Sequence, residues 1–272
     1  MEKRESSPRF ITLRESGFFK NSRRPNMLVD NEETVFVSEG SSLKFGGGVR
    51  LGPNIFFVGN IQIGPRSTIL PGSWIVNSKI GPDSSIGPTA CIENCQIKSG
   101  AKIGFTAQFK RCRIGKNFTA KHHCDIEDAD IGNNVNIGAG VITANYDGTK
   151  KHPIAIGNGV FIGTNANLIA PITIGNDAMV AAGSTISRDV RPYTMVIARA
   201  QEHQSESTYL RKTAEGFEKI KIGKERIELL KSVFSQTETD ATRHPALIYE
   251  WLTRPHKVFD GRMPIDLILE GT

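Results

Sequence analysis

The chain has 272 residues, 38% of them hydrophobic and 7% aromatic, and carries a formal charge of +6. That length holds one large domain plus an accessory piece. No apolar run is long enough to span a bilayer, and the N-terminus lacks a signal-peptide core, which argues against a membrane or secreted protein.

Much of the positive excess lies in the first 24 residues, at Lys3, Arg4, Arg9, Arg14, Lys20, Arg23 and Arg24. This run reads as a solvated segment rather than a nucleic-acid-binding arm. The general basic balance suits anionic small substrates. Residues 1–44 are taken as an N-terminal arm and cap.

From Phe45 to Ile186 an apolar residue recurs about every six positions, often followed by glycine, as in Ile63-Gly64, Ile80-Gly81, Ile114-Gly115 and Ile174-Gly175. Such a short fixed repeat marks a solenoid, whose units bury their apolar sides only by stacking on one another. Three hexads per turn predict a triangular parallel β-helix over residues 45–200. Successive turns begin at Phe45, Ile63, Ile80, Ile97, Ile114 and Ile131, a spacing of 18 once and then 17. The low aromatic content suits a narrow interior of small or branched side chains.

The step from Ile131 to Ile156 is 25 residues, and the excess lies around Asn145-Tyr146-Asp147-Gly148-Thr149-Lys150-Lys151. A polar loop leaving an otherwise regular solenoid is a natural place for function. Of the four cysteines, Cys95 and Cys112 are 17 apart and stack on neighbouring coils; Cys91 and Cys124 are the others. That stacking permits a disulfide, or with Cys124 a metal site. The reading adopted is small reduced residues filling a ladder, hence no metal and a cytoplasmic chain.

The candidate chemistry sits in two consecutive coils. Lys121-His122-His123 precedes Cys124, whose place in the hexad points inward; Asn136, Asn145, Tyr146, Lys150, Lys151 and Thr164 follow and should gather near a common edge. Histidine accepts a proton near neutrality, so His122 is the candidate base.

The stretch A-K-H-H-C-D-I-E-D-A-D-I-G-N-N-V-N-I-G-A-G-V-I-T-A-N-Y-D-G-T-K-K resembles the acetyltransferase domain of the bifunctional glucosamine-1-phosphate acetyltransferase/N-acetylglucosamine-1-phosphate uridylyltransferase. V-F-I-G-T-N-A-N-L-I-A-P-I-T-I-G and A-A-G-S-T-I-S-R-D-V continue the likeness. The resemblance implies an all-β solenoid, a left-handed parallel β-helix of hexapeptide repeats, assembled as a homotrimer with sites between subunits. It implies acetyl-CoA as co-substrate and an amino sugar phosphate, glucosamine 1-phosphate first, as acceptor. By the same resemblance His122 is the general base. Lys110, Asn136, Asn145, Tyr146 and Lys151 match sugar-phosphate contacts, and Thr164, Ala182 and Arg199 match the coenzyme A groove.

Two departures stand out. An arginine that grips phosphate in the family falls at Ile92, in Ile92-Glu93-Asn94, and a tyrosine three places after the histidine is Asp125. Both weaken recognition of an anion. They leave open an acyltransferase for another amino sugar or a nucleotide-linked one, or a non-catalytic scaffold. The glycine-rich L-x-x-G-x-G-T-R-M loop of the uridylyltransferase domain has no match here.

Past Arg199 the period changes. Leu210, Ala214, Phe217, Ile220, Ile227, Leu230 and Phe234 fit an amphipathic helix interrupted at Gly223, so residues 201–272 are expected to form a helical C-terminal extension. Within it Trp251-Leu252, Pro255, Gly261, Pro264 and Asp266-Leu267 are similar to the toxin-binding domain of ParS/MbcA-type antitoxins. That similarity implies a protein partner for the tail; a capping hairpin is the alternative.

Overall fold

The structure, a computed structural model, describes residues 8–18, 26–200, 208–213 and 216–221. The chain divides into two units, Met1–Ala200 and Gln201–Thr272. The first unit is a prism of short strands whose three flat faces are parallel sheets.

The first face runs from Val35–Ser38 through Trp74–Val76, Cys91–Glu93, Ala107–Lys110, Cys124–Glu127 and Ile142–Ala144 to Thr185–Ile186. The second starts at Leu28–Val29 and ends at Met195–Val196, and the third runs from Ser42–Phe45 to Ile172–Ile174. Parallel stacking therefore begins at Leu28, ahead of residue 45. The earliest coil carries no Ile-Gly pair and is invisible to a search for that signal.

Coil length sets the register. Ile80 pairs with Ile97, Ile97 with Ile114 and Ile114 with Ile131; Ile131 then pairs with Ile156 across the longer step. The surplus residues thus leave the ladder at one corner without shifting it. Like stacks on like inside, and residues such as Ile75, Ile92, Phe109, Ile126 and Leu168 on the first face are wholly buried. Each such side chain is worth roughly 1.5–3 kcal/mol on burial.

Glycine follows the inward residue because the chain turns the corner against its neighbour. At Gly138 an added Cβ would lie 2.6 Å from the Thr164 backbone nitrogen. Only the absence of a side chain lets adjoining coils approach this closely.

The leading edge is closed locally. Phe10–Thr12 pairs antiparallel with Val35–Ser38, which covers an edge that would otherwise template another strand. Phe10 meets Phe56 edge-on at 5.5 Å, and Phe56 stacks on Trp74 at 4.8 Å.

The all-helical reading of the C-terminal extension is wrong. Where Leu210, Phe217 and Ile220 suggested a helix, Thr208–Thr213 pairs antiparallel with Gly216–Lys221. Among the described residues the longest named helix is the 3₁₀ turn Glu32–Thr34. The apolar positions do not alternate, since Phe217 and Ile220 are three apart, but Thr, Tyr, Phe and Ile favour strands. The antitoxin-like tail, with Ile227, Leu230 and Phe234, lies outside the described residues.

Candidate active site

The expected residues fall at the two ends of the first face rather than at one edge. The corner entering that face holds His122, between Thr119–Ala120 on the second face and Cys124–Glu127 on the first. Its imidazole is exposed and has no hydrogen-bond partner among the described residues. Cys124 points inward and is buried.

The same corner carries the next residues in a column. The Gly140 amide donates to the His123 carbonyl, Asn165 to Ala139 and Gly183 to Thr164. Arg199 closes the column, its Nη1 donating to the Ala182 carbonyl at 3.0 Å. His122, Thr164, Ala182 and Arg199 thus lie along one edge of the prism. Asn136 stands apart on the second face, exposed, between Thr119 and Phe161 in the ladder.

The opposite end of the face holds the polar loop. It leaves after Ile142–Ala144, the strand that stacks on Cys124–Glu127 through Asp125 and Ile142. The face is about four residues wide, or about 13 Å at 3.3 Å per residue. His122 and Asn145 therefore border one surface on adjoining coils.

The loop is internally tied. Tyr146 bridges to Lys151 in antiparallel fashion, and its exposed hydroxyl donates to the Gly148 carbonyl at 2.7 Å. Asp147 accepts from the Thr149 and Lys150 amides and meets His152 at 2.6 Å. Hydrogen bonds from Lys150, His152 and Thr149 hold its carboxyl down at about 2.

Asn145 is buried and donates to Asp128 and Glu127. Lys151 reaches Glu127 at 2.7 Å, and Arg111 binds Glu127 at 2.7 Å and Asp128 at 2.8 Å. Burial raises the Glu127 carboxyl, but bonds from Lys151, Arg111 and Asn145 outweigh it and leave it below the ordinary range. Arg111 likewise lowers Asp128 against the effect of burial.

Ile92 lies wholly inside the prism. The outward neighbour of Lys110 on the preceding coil is Glu93, and the two form an ion pair at 2.8 Å. On the following coil Lys110 faces Glu127 in register. Asp125 shares this face, and its Oδ1 is buried without a hydrogen-bond partner among the described residues. Burial first, and then the Glu127 charge, raise its carboxyl.

Sequence reading missed Glu93, Arg111, Glu127, Asp128 and His152. The 17-residue spacing could have found the first four, since it places Glu93, Lys110 and Glu127 in one column and Arg111 beside Asp128. The four cysteines are free, and the Cys112 amide donates to the Cys95 sulfur at 3.4 Å.

Residues 153–188 match the family model described as bacterial transferase hexapeptide (six repeats). Over 93 residues the chain is 53% identical to bifunctional protein GlmU of Bacillus caldolyticus, covering 34% of this chain and 80% of that sequence. The chain belongs to the hexapeptide-repeat transferases. Its prism is a left-handed β-helix domain homologous to the acetyltransferase domain of GlmU.

A second relative, GlmU of Thermosipho melanesiensis, is 52% identical over 98 residues, which cover 36% of this chain and 22% of that protein. The matched stretch thus spans about a fifth of the length of such hexapeptide-repeat relatives. Among solved structures, Arabidopsis UDP-N-acetylglucosamine acyltransferase aligns with 91% of this chain and 94% of its own, at 15% identity and a TM-score of 0.35. No helix among the described residues is long and apolar enough to cross a membrane.

Proposed function

We propose that this protein transfers the acetyl group of acetyl-CoA to the amine of an amino sugar phosphate, with glucosamine 1-phosphate as the first candidate. The observation that carries the reading is that His122 and the Asn145 loop border one face on adjoining coils. An amine and a thioester bound along that face would lie within reach of the imidazole.

In this reading His122 removes a proton from the sugar ammonium, and the amine attacks the thioester carbonyl. Coenzyme A leaves as the thiol. Its groove is the edge of Thr164, Ala182 and Arg199, which continues the His122 corner beyond the intervening Ala139-Gly140 turn. Lys110, Asn145, Tyr146 and Lys151 receive the sugar phosphate and hydroxyls, and Asn136 approaches from the second face. A backbone amide of the corner would stabilise the oxyanion.

We further propose a homotrimer in the cytoplasm. Phe161, Met179 and Met195 follow one another on the second face and are all substantially exposed, an apolar strip suited to a second copy. Four free thiols fit a reducing compartment.

The test is release of free thiol from acetyl-CoA with a panel of amino sugars, in wild type and His122→Ala. Removing a general base costs on the order of 10²–10⁴ in rate. Turnover with glucosamine 1-phosphate that the variant loses supports the assignment. Undiminished turnover in the variant removes His122 from the role, and no turnover with any amine refutes the enzyme.

A further inference from the structure

We propose that Glu93 and Glu127 determine acceptor specificity by holding Lys110 and Lys151 in ion pairs, so that a sugar phosphate must compete with a carboxylate for each cation. This rests on the acetyl-transfer reading for its acceptor class, but not on turnover for its test.

The charges alternate along one outward column of the first face. Glu93, Lys110 and Glu127 follow on successive coils, with strands about 4.8 Å apart. Lys110 is bonded to Glu93 at 2.8 Å, and both side chains are about two-thirds covered, at 32% and 30% exposure. Glu127 is less exposed still, at 18%, and takes Lys151 and Arg111 together.

Three cations stand here, Lys110, Arg111 and Lys151, against four carboxylates, Glu93, Asp125, Glu127 and Asp128. Asp128 is engaged by Arg111, so none of the three cations is left without a carboxylate partner. A surface so balanced offers little net attraction to a dianion. Partial shielding from water makes the Lys110–Glu93 pair more costly to break than an exposed one, and less so the Lys151–Glu127 pair, whose lysine is about half exposed. An unphosphorylated amino sugar faces no such competition, and its hydroxyls can still donate to Asp125 or Glu127.

The chemistry therefore points to a site whose lysines are masked. Neutralising a masking carboxylate should free its lysine and remove one repulsion from a nearby phosphate. At about 7 Å and a dielectric of about 50, that repulsion corresponds to about a fivefold change in affinity for each unit of phosphate charge.

Glu93→Gln and Glu127→Gln test this against wild type with two acceptors, glucosamine 1-phosphate and glucosamine. Binding of each is measured by calorimetry, and KM and kcat by thiol release. We expect the Kd and KM for glucosamine 1-phosphate to fall at least about fivefold in either variant, while those for glucosamine change much less. Binding seen in a variant but not in wild type counts in favour. An unchanged or weakened Kd for the phosphate, equal tightening of both acceptors, or no binding in any form overturns the proposal. Tighter phosphate binding without turnover would instead refute acetyl transfer and leave the masking intact.

Discussion

Phe109→Ala tests how rigidly the prism holds the candidate face. Phe109 is wholly buried on Ala107–Lys110, between Ile92 and Ile126 in the inward column, and meets Phe118 edge-on at 5.5 Å. The surrounding walls are hydrogen-bonded strands tied to coils on both sides, so they cannot collapse into the space a lost ring leaves. Truncation should cost about 3–5 kcal/mol, of which the edge contact to Phe118 accounts for about 0.5–1.5 kcal/mol. At about 2–4 °C per kcal/mol for a domain of this size, the melting temperature falls by about 6–20 °C. Phe109→Ile, which restores the side chain of the coils on either side, should recover more than half of that loss. Gln108→Ala on the same strand is the control, because Gln108 is exposed. The assay is thermal and urea unfolding followed by far-UV circular dichroism. A loss for Phe109→Ala below about 1 kcal/mol, or one equal to that of the control, would show that the interior relaxes and refute the rigid-wall argument.

Gly138→Ala places a Cβ 2.6 Å from the Thr164 nitrogen and 2.9 Å from the Gly163 carbonyl carbon, both backbone atoms. The coils must part at the His122 edge, so urea unfolding should show a loss of about 1–3 kcal/mol; an unchanged midpoint would contradict the close approach. Asp147 is held at about 2 in the folded loop, below the unfolded value of about 3.9, so its hold on the loop is full above that value and is lost as pH falls through about 2. Amide shifts of Thr149 and Lys150 should therefore titrate near 2, and a midpoint near 4 would rule this out. Burial pushes the Cys124 thiol up to about 12, so at pH 8 it should resist alkylation until the chain unfolds. Rapid labelling of Cys124 in the folded protein would place it at the surface.

The amino-acid order alone determined the repeat and hence the prism. A side chain that recurs at a fixed interval can be buried only if successive turns stack, so Ile80, Ile97, Ile114 and Ile131 dictate their own pairing. The 25-residue step was equally legible, because a strict register makes any surplus stand out. The candidate residues were recognisable as types, but their arrangement was not. Which end of a face a residue occupies depends on where the chain turns, and a strand of four residues separates His122 from the Asn145 corner. The pairing of Lys151 with Glu127 is also a tertiary fact, since the loop must fold back onto the preceding coil, whereas the column of Glu93, Lys110 and Glu127 follows from the 17-residue spacing. Residues 208–221 failed for a related reason. A few apolar positions at helical spacing are a weak signal, and the pairing of Thr208–Thr213 with Gly216–Lys221 overrides it.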